Sequence, residues 1–147
     1  MKARIVSLFI GLMAGVMVVG AVEPKWLNHL PDALSQAKDQ KRWVLMNFTG
    51  SDYCVWCQRF QKDVLSRPEF KAYAEQHLVL VEVDFPERKK QSVELKKANE
   101  ALQEKYAVAG FPTFVLLNSD GREVGRQVGY LRGGPEAFLK KLDGFRK

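Results

Sequence analysis

The chain of 147 residues contains only two cysteines and two histidines, and this scarcity excludes several protein classes. A small fold stapled by disulfides needs several bridges. Structural zinc needs four ligands, and His29 and His77 sit far from the cysteines with no ligand spacing, so no metal site is expected. Covalent haem attachment requires a histidine directly after the second cysteine, and Gln58 stands there. The two histidines read as surface or capping residues. Repeats, low-complexity tracts and internal linkers are missing too, which leaves one folded domain. The formal charge is +6, yet it is scattered through mixed runs such as Lys38-Asp39-Gln40-Lys41-Arg42 and Glu87-Arg88-Lys89-Lys90. A nucleic-acid surface calls for clustered base with interleaved aromatics. No nucleic-acid partner is expected, and the excess charge serves solubility.

One long uncharged run is present, Ile5 to Val22, behind the short positive end formed by Lys2 and Arg4. Val19-Gly20-Ala21 supplies small residues where a signal peptidase cuts. The expected division is a signal peptide over residues 1–21 and a folded domain over residues 22–147. The run is also long enough to cross a bilayer if left uncut, so an anchored form stays open. No cysteine lies near the cleavage point, which excludes a lipoprotein anchor. On either reading the domain is periplasmic or otherwise exported, where disulfides persist.

The two cysteines lie three apart, in Cys54-Val55-Trp56-Cys57. On a helix that spacing puts their Cα atoms roughly 5 Å apart, within disulfide reach. The ring so closed is too small to staple a fold, because cross-links stabilise mainly by closing long loops of the unfolded chain. A pair that can bond yet contributes little structurally suits opening and closing, so the sequence points to a redox site.

Around the pair the chain reads as alternating helices and strands. Pro31 opens a helix running to about Gln40. Trp43 to Phe48 is a strand apolar on both faces, hence central. A loop over residues 49–52 leads to a helix starting at or near Cys54, with Cys57, Phe60 and Val64 as its buried stripe. Pro68 ends or kinks that helix, Glu69 to Gln76 adds a turn or two, and Leu78 to Phe85 is the second strand. A helix from Ser92 to about Tyr106 places Leu95, Ala98, Leu102 and Tyr106 inward. Thr113 to Leu117 and Glu123 to Val128 are joined by the turn residues Asn118-Ser119-Asp120-Gly121. A last helix begins at Pro135, with Phe138, Leu139, Leu142 and Phe145 inward. The expected fold is α/β: a four-stranded mixed sheet, two parallel strands plus a C-terminal hairpin, with helices on both faces.

This order of elements, the cysteine pair after the first strand, and Gly110-Phe111-Pro112-Thr113 before the hairpin together resemble the thioredoxin superfamily. Phe48-Thr49-Gly50-Ser51-Asp52-Tyr53 looks most like its exported bacterial thiol:disulfide interchange branch. The resemblance covers about Trp43 to Phe145. It implies a protein-disulfide oxidoreductase with no cofactor beyond the redox-active Cys54–Cys57 disulfide. Cys54, at the start of a helix, would attack as thiolate and Cys57 would resolve the mixed disulfide. It further implies a cis Pro112, flanked by Gly110 and Thr113, with the backbone of Phe111 pairing with extended substrate chain. Without the resemblance, a trans-proline that simply starts a strand is the expected reading.

Tyr53 and Trp56 flank the pair and form either a substrate-gripping rim or part of the core. Trp26 and Trp43 read as core or docking residues. Asp52 reads as a helix cap whose charge would oppose thiolate formation. One departure stands out. Many thioredoxins carry a buried carboxylate beneath the pair that relays a proton to the resolving thiol. Allowing for one extra loop residue, Asn47 holds that position here, and an amide cannot take up a proton. The expected partners are protein substrates and a dithiol electron partner, membrane-embedded if the role is reductive, with the chain a monomer. The direction of electron flow stays open. So do a reductant dedicated to cytochrome c maturation and a client-binding module with little turnover.

Overall fold

The computed structural model describes residues 23–147; the segment assigned above to a signal peptide lies outside them. Five strands form one sheet: β1 (Trp26–Leu27), β2 (Trp43–Thr49), β3 (Leu78–Asp84), β4 (Thr113–Leu117) and β5 (Glu123–Val128). Their order is β1-β3-β2-β4-β5. β2 pairs in parallel with β3 and antiparallel with β4, and β4–β5 is the hairpin that the turn residues imply. The sheet therefore has five strands where the sequence suggests four. The addition, β1, is two residues long and pairs in parallel with Leu80 and Val81 at the β3 edge. So short a segment carries no periodicity, and it takes its strand geometry from the edge it covers.

The helices are α1 (Leu30–Gln40), α2 (Val55–Phe60), α3 (Pro68–His77), α4 (Val93–Lys105) and α5 (Gly134–Phe145). Prolines sit in the first turns of α1, α3 and α5, where a missing N–H costs nothing. A π-helical turn, Gln61–Leu65, continues α2. Cys57, Phe60 and Val64 are all buried along this segment. In α4 the inward residues are Leu95, Asn99, Leu102 and Tyr106, and Ala98 is exposed. The stripe shifts by one residue because the Asn99 amide donates to the Asp84 carbonyl at 2.8 Å, a bond alanine cannot make. None of the helices among the described residues is long and apolar enough to cross a membrane.

Strand alternation divides the core into two layers. Val44, Met46 and Phe48 of β2, with Val79, Val81 and Val83 of β3, pack in one cluster with Leu30, Ala33 and Ala37 of α1 and Tyr106. Leu45, Leu80, Phe114 and Leu116 pack on the other side with Phe60, Phe70 and Phe138. Phe60 anchors this second layer, its ring 4.5 Å from Phe114 and 5.0 Å from Phe138. On this face β2 and β3 change character along their length. The register pairs Leu45 with Leu80, then Asn47 with Glu82, then Thr49 with Asp84. An apolar row becomes polar towards the ends of the two parallel strands, on the face that also carries the second cysteine's helix.

Candidate active site: the Cys54–Cys57 pair

The loop between β2 and α2 is fixed on both sides. Gly50 accepts hydrogen bonds from the Tyr53 and Cys54 amides at 3.3 and 2.9 Å. The Tyr53 ring lies so close that a Cβ at Gly50 would meet it at 2.5 Å, so only glycine fits the approach. Ser51 gives its backbone N–H and its hydroxyl to the Asp84 carboxylate, at 2.9 and 2.6 Å. Asp84 in turn has its carbonyl held by Asn99 and Gln91. Helix α4, strand β3 and the cysteine loop are thereby tied at one residue.

Asp52 does not cap α2. Its carboxylate accepts the backbone N–H groups of Glu87, Arg88 and Lys89 at 3.0, 2.7 and 2.8 Å. These bonds, that from Glu87 first, hold its pKa below the usual carboxylate range. The carboxylate orders the segment after β3. The cap position belongs to Cys54 itself, whose sulfur accepts the Cys57 N–H at 3.2 Å. Sulfur here takes the place an oxygen usually has at a helix start.

Cys54 and Cys57 are joined as a disulfide with Cα atoms 5.2 Å apart. Their surroundings differ. Cys54 is half-buried, whereas Cys57 is only 6% exposed and faces a cleft of about 280 Å³ that also borders Asn47, Gln58, Glu82 and Lys89. Trp56, 51% exposed, points outward and lies 5.5 Å from the Tyr130 ring. Arg59 sits over both rings, at 5.7 and 5.5 Å, and Tyr130 donates to Asp63 at 2.7 Å. Tyr53 is exposed too. Of the two readings of these aromatics, the rim is the one their exposure fits.

The Phe111–Pro112 peptide bond is cis. Thr113 pairs with Phe48 of β2 and Val128 of β5, so this turn lies at the end of the sheet from which the cysteine loop departs. Thr113 donates its hydroxyl to the Gly110 carbonyl at 2.7 Å, closing the turn. The Pro112 carbonyl accepts the Gly129 N–H at 2.8 Å, placing Tyr130 one residue from the proline's partner. Phe111 stacks on Phe85 with centroids 5.0 Å apart.

Asn47 is 6% exposed, and its Oδ1 has no hydrogen-bond partner among the described residues. Trp26 and Trp43 are half-buried against the α5 side of the core. His29 pairs with Asp32 at 3.1 Å on the surface, and His77 packs on Tyr73. No group of three or more metal-ligating side chains exists among the described residues.

Sequence reasoning missed Glu82, Asp84, Asn99 and Tyr130. A signal existed for the first, since Glu82 is the lone charge inside the apolar run of β3. Tyr130 gave none, because its importance depends on a cross-chain contact with Trp56.

A buried thiol and a more accessible one, bridged at the start of a helix beside a cis-proline turn, define the site of a thiol–disulfide exchange protein. The chain belongs to the thioredoxin-like family: the profile of the Thioredoxin-like domain matches residues 30–146. It is 36% identical over 124 residues to the "Disulfide bond reductase DsbH" of Chlamydia pneumoniae, covering 84% of this chain and 74% of that protein. A solved structure titled "DsbH Oxidoreductase" superposes with a TM-score of 0.81 at 33% identity, covering 90% of this chain and 91% of the other. A thioredoxin from Thermus thermophilus superposes at 0.64 with 28% identity, covering 84% and 87%. The protein is a thioredoxin-type protein-disulfide oxidoreductase.

Proposed function

We propose that the protein is exported and reduces disulfides in protein substrates, with Cys54 attacking and Cys57 resolving. One observation carries this assignment of roles: Cys54 occupies the cap position of α2 and its sulfur already accepts the Cys57 N–H, while Cys57 is buried behind it. In the dithiol state the same donor stabilises a thiolate at Cys54, as does the partial positive charge at a helix start. The Cys54 thiolate attacks one substrate sulfur, and the other substrate sulfur leaves with the electron pair. Cys57 then displaces the bound substrate sulfur, and the pair ends oxidised. Electrons return from another dithiol protein, without a cofactor.

The reductive direction is supported by the likeness to a protein named a disulfide bond reductase. Export is supported by the apolar amino-terminal run, and it makes a membrane-embedded dithiol protein the electron donor. Substrate chain lies against the Phe111 backbone and Pro112, since the Phe111 ring is turned onto Phe85. Trp56, Tyr53 and Tyr130 grip apolar side chains beside the scissile disulfide.

Trapping tests the roles. The Cys57→Ser protein, incubated with an envelope extract, should hold substrates covalently on Cys54, and the wild type should reduce insulin with a thiol donor. Insulin reduction that survives Cys54→Ser would overturn the assignment.

A further inference from the structure

Resolution of the mixed disulfide needs a base, because a buried thiol does not ionise unaided. Asn47 cannot supply one. Three carboxylates lie near the cleft behind Cys57, and two are occupied: Asp84 by the Ser51 amide and hydroxyl, Asp52 by three backbone N–H groups. Glu82 accepts no hydrogen bond among the described residues. It is the register partner of Asn47 on the adjacent parallel strand, so both side chains leave the same face of the sheet. It borders the same cleft as Cys57 and Asn47.

We propose that Glu82 takes the proton Cys57 releases during resolution, through water that the cleft holds against Asn47. This rests on the exchange chemistry proposed above and assigns its missing base. The cleft is polar, has room for several waters, and offers the otherwise unpaired Asn47 Oδ1 as an acceptor. In the step, the Cys57 S–H bond breaks and its proton passes by water to the Glu82 carboxylate. The thiolate forms the bond to Cys54, and the Cys54–substrate bond breaks. The substrate sulfur leaves with the electron pair and takes a proton from solvent. On re-reduction of the pair, Glu82 returns its proton to Cys57.

The charges facing Glu82 are few. Asp84 stands two residues along β3, and Lys89 and Lys90 come from the following loop; Cys57 and the neutral Gln58 and Gln61 face the cleft from the helix above, and the neighbouring strands contribute the neutral Asn47 and Asn28. Glu82 is an exposed residue, and the partial desolvation where it borders the cleft, aided by Asp84 and opposed by Lys89, raises its pKa above the usual carboxylate value. That brings it closer to the pKa of the thiol it serves, the direction general base catalysis requires.

The competing role, a mere like-charge neighbour, predicts the opposite sign. A carboxylate near Cys57 raises the thiol pKa, so removing it should speed resolution. A base, once removed, should slow it. The experiment mixes the reduced protein with oxidised glutathione, quenches with acid and follows the Cys54–glutathione adduct by mass spectrometry across pH. Glu82→Gln should form the adduct at the wild-type rate and resolve it at least about tenfold more slowly near neutral pH. The deficit should shrink as rising hydroxide replaces the base. Glu82→Asp should retain part of the rate, and Asn47→Asp added to Glu82→Gln should restore it. Resolution by Glu82→Gln that is unchanged or faster overturns the proposal and leaves the exchange reading intact. No adduct at Cys54 in the Cys57→Ser protein overturns the exchange reading itself.

Discussion

The two sulfurs of one short motif occupy different media. Cys54 is flanked in the chain by the exposed Tyr53 and, two residues on, the exposed Trp56, whose ring packs with Tyr130 under Arg59. Cys57, one helical turn further in, faces a polar cleft whose floor comes from Asn47 and Thr49 of β2 and Glu82 of β3. An outward sulfur among aromatics can reach a foreign chain, and an inward one facing a polar cleft that a carboxylate also borders can lose a proton without competing for that chain. Both surroundings follow from where the strands end. The apolar rows of β2 and β3 stop two residue pairs short of the loop on this face, and the polar row that replaces them is the floor under Cys57.

The widest gap between the two sides should appear on deleting each sulfur in turn. Cys54→Ser should abolish insulin reduction to background with no covalent adduct. Cys57→Ser should also lose turnover but accumulate adduct, by the loss of the resolving step alone. Equal adduct yields from the two variants would erase the distinction. A smaller effect is expected where the two sides are bolted together. Asp84→Asn weakens the charge-assisted bonds to Ser51, each of the kind worth about 1.5–3 kcal/mol. Urea unfolding should show a loss in that range. A variant as stable as the wild type would mean that other contacts hold the cysteine loop.

On the outward side alone, Trp56→Ala should weaken binding while leaving the chemistry in place. An aromatic contact of about 0.5–1.5 kcal/mol corresponds to a rise in KM for a peptide disulfide of about two- to tenfold. Little change in kcat should accompany it. A fall in kcat at constant KM would move Trp56 from substrate contact to support of the helix.

How much of this was legible in the chain depends on whether a residue's neighbours lie near it in sequence. The cysteine pair, the stripe Cys57–Phe60–Val64 and the β4–β5 hairpin are local patterns, and the structure bears them out. The cis state of Pro112 was reached only through likeness to a family. Asp52 misled because an acid just ahead of a helix usually caps it, and here three amides from a segment 35 to 37 residues away claim it instead. β1 was lost because two residues have no period. Asn99 was lost because the helical stripe was read by apolarity, while the site needed an amide. Glu82 was visible as a charge in a buried strand, but its meaning came from the register that sets it beside Asn47.

The smallest expected effect lies on the inward side and concerns stability alone. Desolvation raises the Glu82 pKa in the folded state, with Asp84 adding to it. The folded protein therefore holds this proton more tightly than the unfolded chain does, and wild-type stability declines as pH rises from the unfolded towards the folded pKa. Glu82→Gln carries no such penalty. The variant should match the wild type at pH values below the ordinary carboxylate range and exceed it above the folded pKa, with the difference growing only between the two. Urea titrations of both proteins from acid to neutral pH measure this. A difference that is constant with pH would place the glutamate's charge in bulk solvent, and the cleft under Cys57 would then have no group tuned to its proton.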